Sequence, residues 1–356
     1  MNRDRRAFLA ASAAVAGALA TLDAQERGDV LARRVVIDAL SADEDWNEPE
    51  PIFEAYRRSG VTAIHTSLDN RTLDAALRDL AAWKARCERY PDRLLPVLTG
   101  GDIARAHATG RVGVMFGFQN ATMVGSDVRN VDALYAAGAR CIQLTYNSRN
   151  LLGDGCTERT NAGLSDFGVA VVERMNRLGM VVDLSHCGEA TSRDGIAFST
   201  RPAAFTHTMC KAVYDHVRAK SDDLLRALAD KGGVVGIATL GYFIGPTAAT
   251  TIDDYLRHVD HAVKVAGIDH VGVASDYSIR GIEAVHTRQS WYVPRLSAFK
   301  PEYRVRWPPW IRELDPPDRF REIARGLAAR GYTSAQVDKI LGRNWQRYFG
   351  EVLGGA

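Results

Sequence analysis

The sequence predicts an α/β protein folded as a (β/α)8 barrel, and three observations carry that expectation. An amphipathic helix, a glycine and an apolar strand recur down the chain. The strand runs are mostly apolar rather than alternating. No glycine-rich turn follows the first strand, RVVIDALSAD. Continuous apolar runs suit parallel strands covered on both faces. An open doubly wound sheet, the lesser alternative, usually carries a glycine-rich phosphate turn at that point. Eight or so strand–helix alternations over roughly 300 residues favour closure into a barrel.

The elements follow in order. RVVIDAL is the first strand. FEAYRRSG closes a helix before the strand VTAIHTS, and RLLPVLT and RVGVMFGF add two more strands. VDALYAAG precedes ARCIQLTY, VVERMNRLG precedes MVVDLSH, and one short helix separates the latter from PAAFTHT. LLRALADKGG then leads into VVGIATL, and YLRHVDHAVKVAG into IDHVGVASDY. Gly60, Gly138, Gly179, Gly232 and Gly267 stand where a helix closes in the left-handed conformation. Residues 278–317 break the pattern: they show no clear period and hold Trp291, Tyr292, Tyr303, Trp307 and Trp310. A structureless stretch of that length is uncommon and usually functional. Because it follows the strand bearing Asp276, it is expected to fold over the rim as a lid with aromatic walls; packing against a partner subunit is the alternative.

With 46% hydrophobic and 25% charged residues, the chain has the composition of a soluble globular protein. The net charge is +2, which Arg3, Arg5 and Arg6 against Asp4 already supply. The remainder is near neutral and gives no electrostatic reason to expect a nucleic-acid partner. The N-terminal stretch MNRDRRAFLAASAAVAGALA has a charged start and an apolar run over residues 7–20, shorter than the about 20 residues a membrane span needs. Residues 1–24 therefore read as a twin-arginine-like export signal. That places a single catalytic domain, residues 25–356, in a bacterial periplasm with no stable membrane span. Five cysteines, an odd number without a CxxC pair, argue against a disulfide framework.

Function should sit at the C-terminal strand ends, where barrels of this kind build their active sites. Those ends read Asp38, His65, Gln119, Tyr146, His186, His207 and Asp276. Two histidines closing consecutive strands, with an aspartate closing a third, point to a metal centre.

VVERMNRLGMVVDLSHCG, PAAFTHT, YDHVRAKSDDLLRALADKGGVVGI, HVDHAVKVAGIDHVGVASDY and ILGRNWQRYF resemble the membrane (renal) dipeptidase family of zinc hydrolases. The likeness runs over residues 35–349. It implies a TIM-like barrel of the metal-dependent hydrolase type, a dipeptide or similar small carboxylate-bearing substrate, and a homodimer. By the same resemblance His186 and His207 bind the second zinc of a pair and Arg218 holds the substrate carboxylate. Asp276 lies beside the metals and handles protons or the substrate amine.

Four departures accompany the likeness. The family's DGHND is Asp38-Ala39-Leu40-Ser41-Ala42 here, so Leu40 and Ala42 replace the first zinc's ligands. Gln119 stands at the bridging glutamate, and a neutral amide bridges two dications poorly. Tyr146 replaces a substrate-contacting histidine, and HPRN has become HVRA. One ion per chain is then expected, zinc or another divalent metal. Its third ligand would come from Asp276 or His65, ahead of Gln119. Tyr146 would donate to a developing oxyanion.

Other readings remain open: an isomerase or lyase on the same barrel, or a non-enzymatic binding protein. Arg218 could instead pair with Asp215 or Asp222 at the surface, and Tyr146 could simply pack the rim. Cys187 and Cys210 are minor candidates for a thiolate role. His216 would support Arg218, and Asp183 would orient backbone or imidazole. His258 and His261 are read as helix packing or surface residues.

Overall fold

The computed structural model describes residues 29–42 and 46–354, so the expected export signal lies outside the described residues. Among the described residues nine strands form: β1 (Ile37–Ser41), β2 (Ala63–Ser67), β3 (Leu94–Pro96), β4 (Val112–Phe118), β5 (Ala139–Gln143), β6 (Val181–Asp183), β7 (Ala204–Thr208), β8 (Val234–Ala238) and β9 (Val271–Ala274). Eight follow one another in parallel round the barrel, in the order β1-β2-β4-β5-β6-β7-β8-β9. The short β3 pairs only the start of β4. The seam between β9 and β1 closes just past the strand ends. There Asp276 N–H donates to Leu40 O at 2.9 Å and Ala42 N–H to Tyr277 O at 3.4 Å.

Helices cover the outside as the repeated pattern requires, beginning with α1 (Pro49–Ser59), α2 (Leu73–Arg89), α3 (Gly101–Thr109), α4 (Asn130–Ala137) and α5 (Asp166–Leu178). α1 ends on Gly60 and α5 on Gly179, at φ 69° and 74°, where a side chain would be strained. There follow α6 (Glu189–Phe198), α7 (Asp222–Asp230), α8 (Gly241–Ile244) and α9 (Ile252–Ala266).

Inside the barrel, alternate strand residues such as Ile37, Ala63, Met115, Val181 and Val234 form a second apolar cluster. These come mainly from the lower halves of the strands. They are stoppered by Trp345, Tyr348 and Phe349 of the C-terminal helix, residues Asn344–Leu353. Trp345 lies so close that a Cβ on Gly272 would stand 2.1 Å from its Nε1, which donates to Val273 O at 3.2 Å. This plug shuts the N-terminal mouth and leaves polar chemistry to the other end.

Two expectations need correction. Residues 278–317 are not structureless. They contain α10 (Ile282–Val285) and α11 (Arg288–Ala298), the latter started by a reciprocal Thr287–Ser290 capping box and carrying Pro294 inside it. The helical signal is short and interrupted, which is why periodicity misses it. The segment crosses the rim: Lys300 Nζ donates to Thr157 O at 2.5 Å, and Arg306 donates to Gly241 O at 2.7 Å and Gly245 O at 2.5 Å. Asp38 is not a rim residue either. Its neighbours Ile37 and Ala39 face the barrel interior, so its own fully buried carboxylate turns to the outer layer and meets Ser275.

Candidate active site

β6 and β7 are neighbours, which brings the histidines that follow or lie in them together. His186 Nε2 and His207 Nε2 stand 3.0 Å apart, with both rings buried. Burial, reinforced by the charge of Arg218, holds both imidazoles well below their ordinary pKa. Each ring is therefore neutral at pH 7 and carries one N–H.

Where that proton sits follows from the partners. His186 Nδ1 lies 2.8 Å from Asn147 Oδ1, an acceptor, so Nδ1 carries the hydrogen. His207 Nδ1 lies 2.8 Å from Thr206 Oγ1. That hydroxyl already donates its own hydrogen to Asp183 Oδ2 at 2.7 Å, so it accepts from Nδ1. Asp183 also takes Ser185 N–H at 3.0 Å, Ser185 O–H at 2.5 Å and Thr206 N–H at 3.1 Å. Both Nε2 lone pairs consequently point at one another. Such an arrangement is repulsive by itself and suits a cation between the rings.

Asp276 stands at the end of β9 with Oδ1 3.9 Å from His207 Nε2. Its backbone φ is +68°, a conformation a non-glycine residue holds only where its surroundings impose it. Among the described residues no three His, Cys, Asp or Glu side chains already meet as a metal cage.

Arg218 is fully buried. Its Nη1 donates to Ser185 O and its Nη2 to His207 O at 3.0 Å, while Nε has no hydrogen-bond partner. The surface ion-pair alternative fails, because Asp215 faces Lys211 and Asp222 faces His261 and Arg226. A buried guanidinium without a carboxylate is costly unless a ligand anion completes it. His216 braces it: Nδ1 accepts Arg218 N–H at 3.1 Å, and Nε2–H donates to Tyr303 O of the 278–317 segment at 2.8 Å.

Tyr146, half-buried, stacks on His186 with ring centroids 4.0 Å apart and lies 6.2 Å from Phe299 of the 278–317 segment. His65 is buried one layer deeper. Its Nδ1 faces Ala39 O at 2.8 Å, and its Nε2 lies over Gly117 without a hydrogen-bond partner. Gln119 is half-buried at the end of β4, where its carbonyl accepts from Gln143 Nε2.

Sequence reasoning missed Asn147, Thr206 and Lys220. Asn147 directly follows Tyr146 and sits at φ 48°, a position that asparagine tolerates and that gives a faint sequence signal. Lys220 is buried, donates to Cys187 O at 2.6 Å and Ser192 Oγ at 3.0 Å, and is pushed down to about 8 by desolvation. Burial pushes the Cys187 thiol up to about 11 and Cys210 higher still, which opposes thiolate roles for both. His258 is buried, and half-buried His261 bonds Asp222 at 2.8 Å.

Residues 55–292 match the family described as membrane dipeptidase, peptidase family M19. Dipeptidase verJ of Clonostachys rogersoniana is 33% identical over 210 residues, which are 58% of this chain and 53% of that protein. The chain thus spans about half the length of that curated relative. An amidohydrolase from Pseudomonas aeruginosa superposes with a TM-score of 0.82 at 29% identity, covering 92% of this chain and 98% of the other. A metallo peptidase from Rhodobacter sphaeroides, solved with a phosphinate mimic of the dipeptide L-Ala-D-Ala, shares the fold. Its TM-score is 0.72 at 18% identity, over 90% of this chain and 99% of the other.

Proposed function

The chain belongs to the membrane dipeptidase family, and from that premise we propose that it is a metal-dependent hydrolase. Its substrate would be a small carboxylate-bearing molecule such as a dipeptide, cleaved at an amide bond. The observation that carries this reading is the pair of neutral imidazoles, 3.0 Å apart, whose tautomers are locked with both lone pairs converging.

His186 and His207 would hold the ion and Asp276 would supply the third donor, ahead of Gln119 and His65. His65 spends Nδ1 on Ala39 O, and its Nε2 is sealed against Gly117. Leu40 and Ala42 offer no side-chain donor, so the reading is one zinc or other divalent ion per chain. A divalent cation there supplies Lewis acidity toward a scissile carbonyl and toward water.

The remaining chemistry belongs to the chain. One Asp276 oxygen faces His207; the other would take a proton from water and return it to the leaving amine. Arg218, buried without a carboxylate partner, would grip the substrate carboxylate with its planar fork. Tyr146, stacked on His186, would donate its hydroxyl hydrogen to the developing oxyanion. The lid segment, with Phe299 facing Tyr146, would exclude water. No helix among the described residues is long and apolar enough to cross a membrane. Export to the periplasm through residues 1–24, and a homodimer, complete the reading.

The test is elemental analysis of the purified protein together with a dipeptide panel. One ion per chain with turnover, lost in Arg218→Met through a raised KM, supports the proposal. Metal without hydrolysis shifts the reading to a non-hydrolytic isomerase or lyase. Neither metal nor turnover leaves a binding protein.

A further inference from the structure

Asp276 is held in an unfavourable backbone conformation at the barrel seam, and the grip on it comes from β1. Asp38 Oδ1 accepts Ser275 N–H at 2.7 Å and Leu40 N–H at 3.3 Å, while Oδ2 accepts Ser275 Oγ–H at 2.5 Å. Ser275 Oγ in turn accepts from Arg319 Nη1 at 2.9 Å, and Ser275 O from Thr239 Oγ1 at 3.1 Å. On the other side of Asp276, Tyr277 O accepts Ala42 N–H at 3.4 Å. The Tyr277 hydroxyl donates to Leu314 O at 2.8 Å and lies 2.9 Å from Thr239 Oγ1, whose single hydrogen is already given to Ser275 O. Residues 275 and 277 are thus clamped, and Asp276 between them takes φ +68° with its carboxylate toward His207.

We propose that Asp38, acting through Ser275, is the positioning residue that holds Asp276 in its strained, site-facing conformation. The inference rests on the reading of Asp276 as the reacting carboxylate. Only a carboxylate can accept both the N–H and the O–H of one residue on two separate oxygens, and so fix that residue's orientation as well as its place. A buried Asp–Arg pair joined through a hydroxyl contributes little net stability once desolvation is counted. Its value here is geometric: it replaces the regular ladder at the seam with a rigid clamp beside the reacting group. Arg319 extends the clamp to the lid base by donating to Leu314 O at 2.9 Å and Asp315 O at 2.6 Å.

The test is a double-mutant cycle with the dipeptide the wild type turns over fastest, joined to hydrogen exchange of residues 271–280. Ser275→Ala keeps Asp38 opposite Arg319 and removes the hydroxyl. Assayed at saturating metal, it should lower kcat by about 10- to 100-fold, the scale of a small misplacement, with KM within twofold. In an Asp276→Asn background the same substitution should alter the residual rate less than twofold, because the two act as one unit. The Asp276 amide should exchange faster in Ser275→Ala and in Asp38→Asn; if Asp38→Asn does not fold, Ser275→Ala decides alone. Unchanged kcat, an equal loss in the Asp276→Asn background, or unchanged exchange would each overturn the proposal. Should the wild type hydrolyse no dipeptide, the functional reading fails while exchange still decides the positioning role.

Discussion

Replacing Asn147 with glycine removes the acceptor behind one imidazole of the site, which Cys156 Sγ also approaches at 3.5 Å. Asn147 sits at φ 48°, a conformation glycine adopts without strain, so the backbone bonds that Asn147 O accepts from Thr157 N–H and Oγ1 at 2.8 and 3.0 Å persist. What disappears is the Oδ1 acceptor 2.8 Å from His186 Nδ1. The metal-binding tautomer then carries a buried, unsatisfied N–H, at a cost of about 1–3 kcal/mol. The free protein escapes that cost by moving the proton to Nε2, where His207 Nε2 waits at 3.0 Å as acceptor. The penalty therefore falls on metal binding, as roughly a 10- to 100-fold weaker affinity, or about 1.4–2.7 kcal/mol. Zinc titration against a chromophoric chelator at pH 7.5 reads it directly, with Thr206→Val as the matching change behind His207. A dissociation constant within twofold of wild type in both variants would refute the tautomer-locking argument.

Four other expectations are independent of the metal. Gly272→Ala drives a Cβ to 2.1 Å from Trp345 Nε1, so urea unfolding should show a loss of about 2 kcal/mol or more without altered metal content. His258 is buried neutral, accepting Cys210 N–H at 3.1 Å and donating to Ile244 O at 3.0 Å, and desolvation pushes it down to about 4. Its folded pKa lies below the ordinary 6.5, so its contribution is present above pH 6.5 and lost toward pH 4, about 3 kcal/mol in all. His258→Gln should flatten the stability–pH curve over that window, and parallel curves from urea melts would contradict this. Phe299→Ala, at the half-buried position facing Tyr146, should raise KM several-fold with kcat little changed. Trp291 is 2% exposed, so truncating it should register instead as lost stability.

The barrel was legible because period and punctuation are local. Apolar runs closed by helix–glycine turns report buried parallel strands wherever they occur, and all nine predicted strands form. The neighbouring of His186 and His207 was legible for a related reason: consecutive strands in such a barrel lie side by side. The helices α10 and α11 were not, since α11 is short, carries Pro294 and buries chiefly Trp291. A stripe that narrow leaves no readable period.

By itself the sequence determined the architecture and the two consecutive strands that bring His186 and His207 side by side. Only the tertiary structure decided how those groups are used. Asn147 lies 39 residues from His186, and Asp38 lies 237 residues from Ser275. Hydrophobic pattern records which face of an element is buried, whereas a tautomer or a strained backbone angle depends on which polar atom arrives from a distant strand. That meeting exists only once the barrel closes.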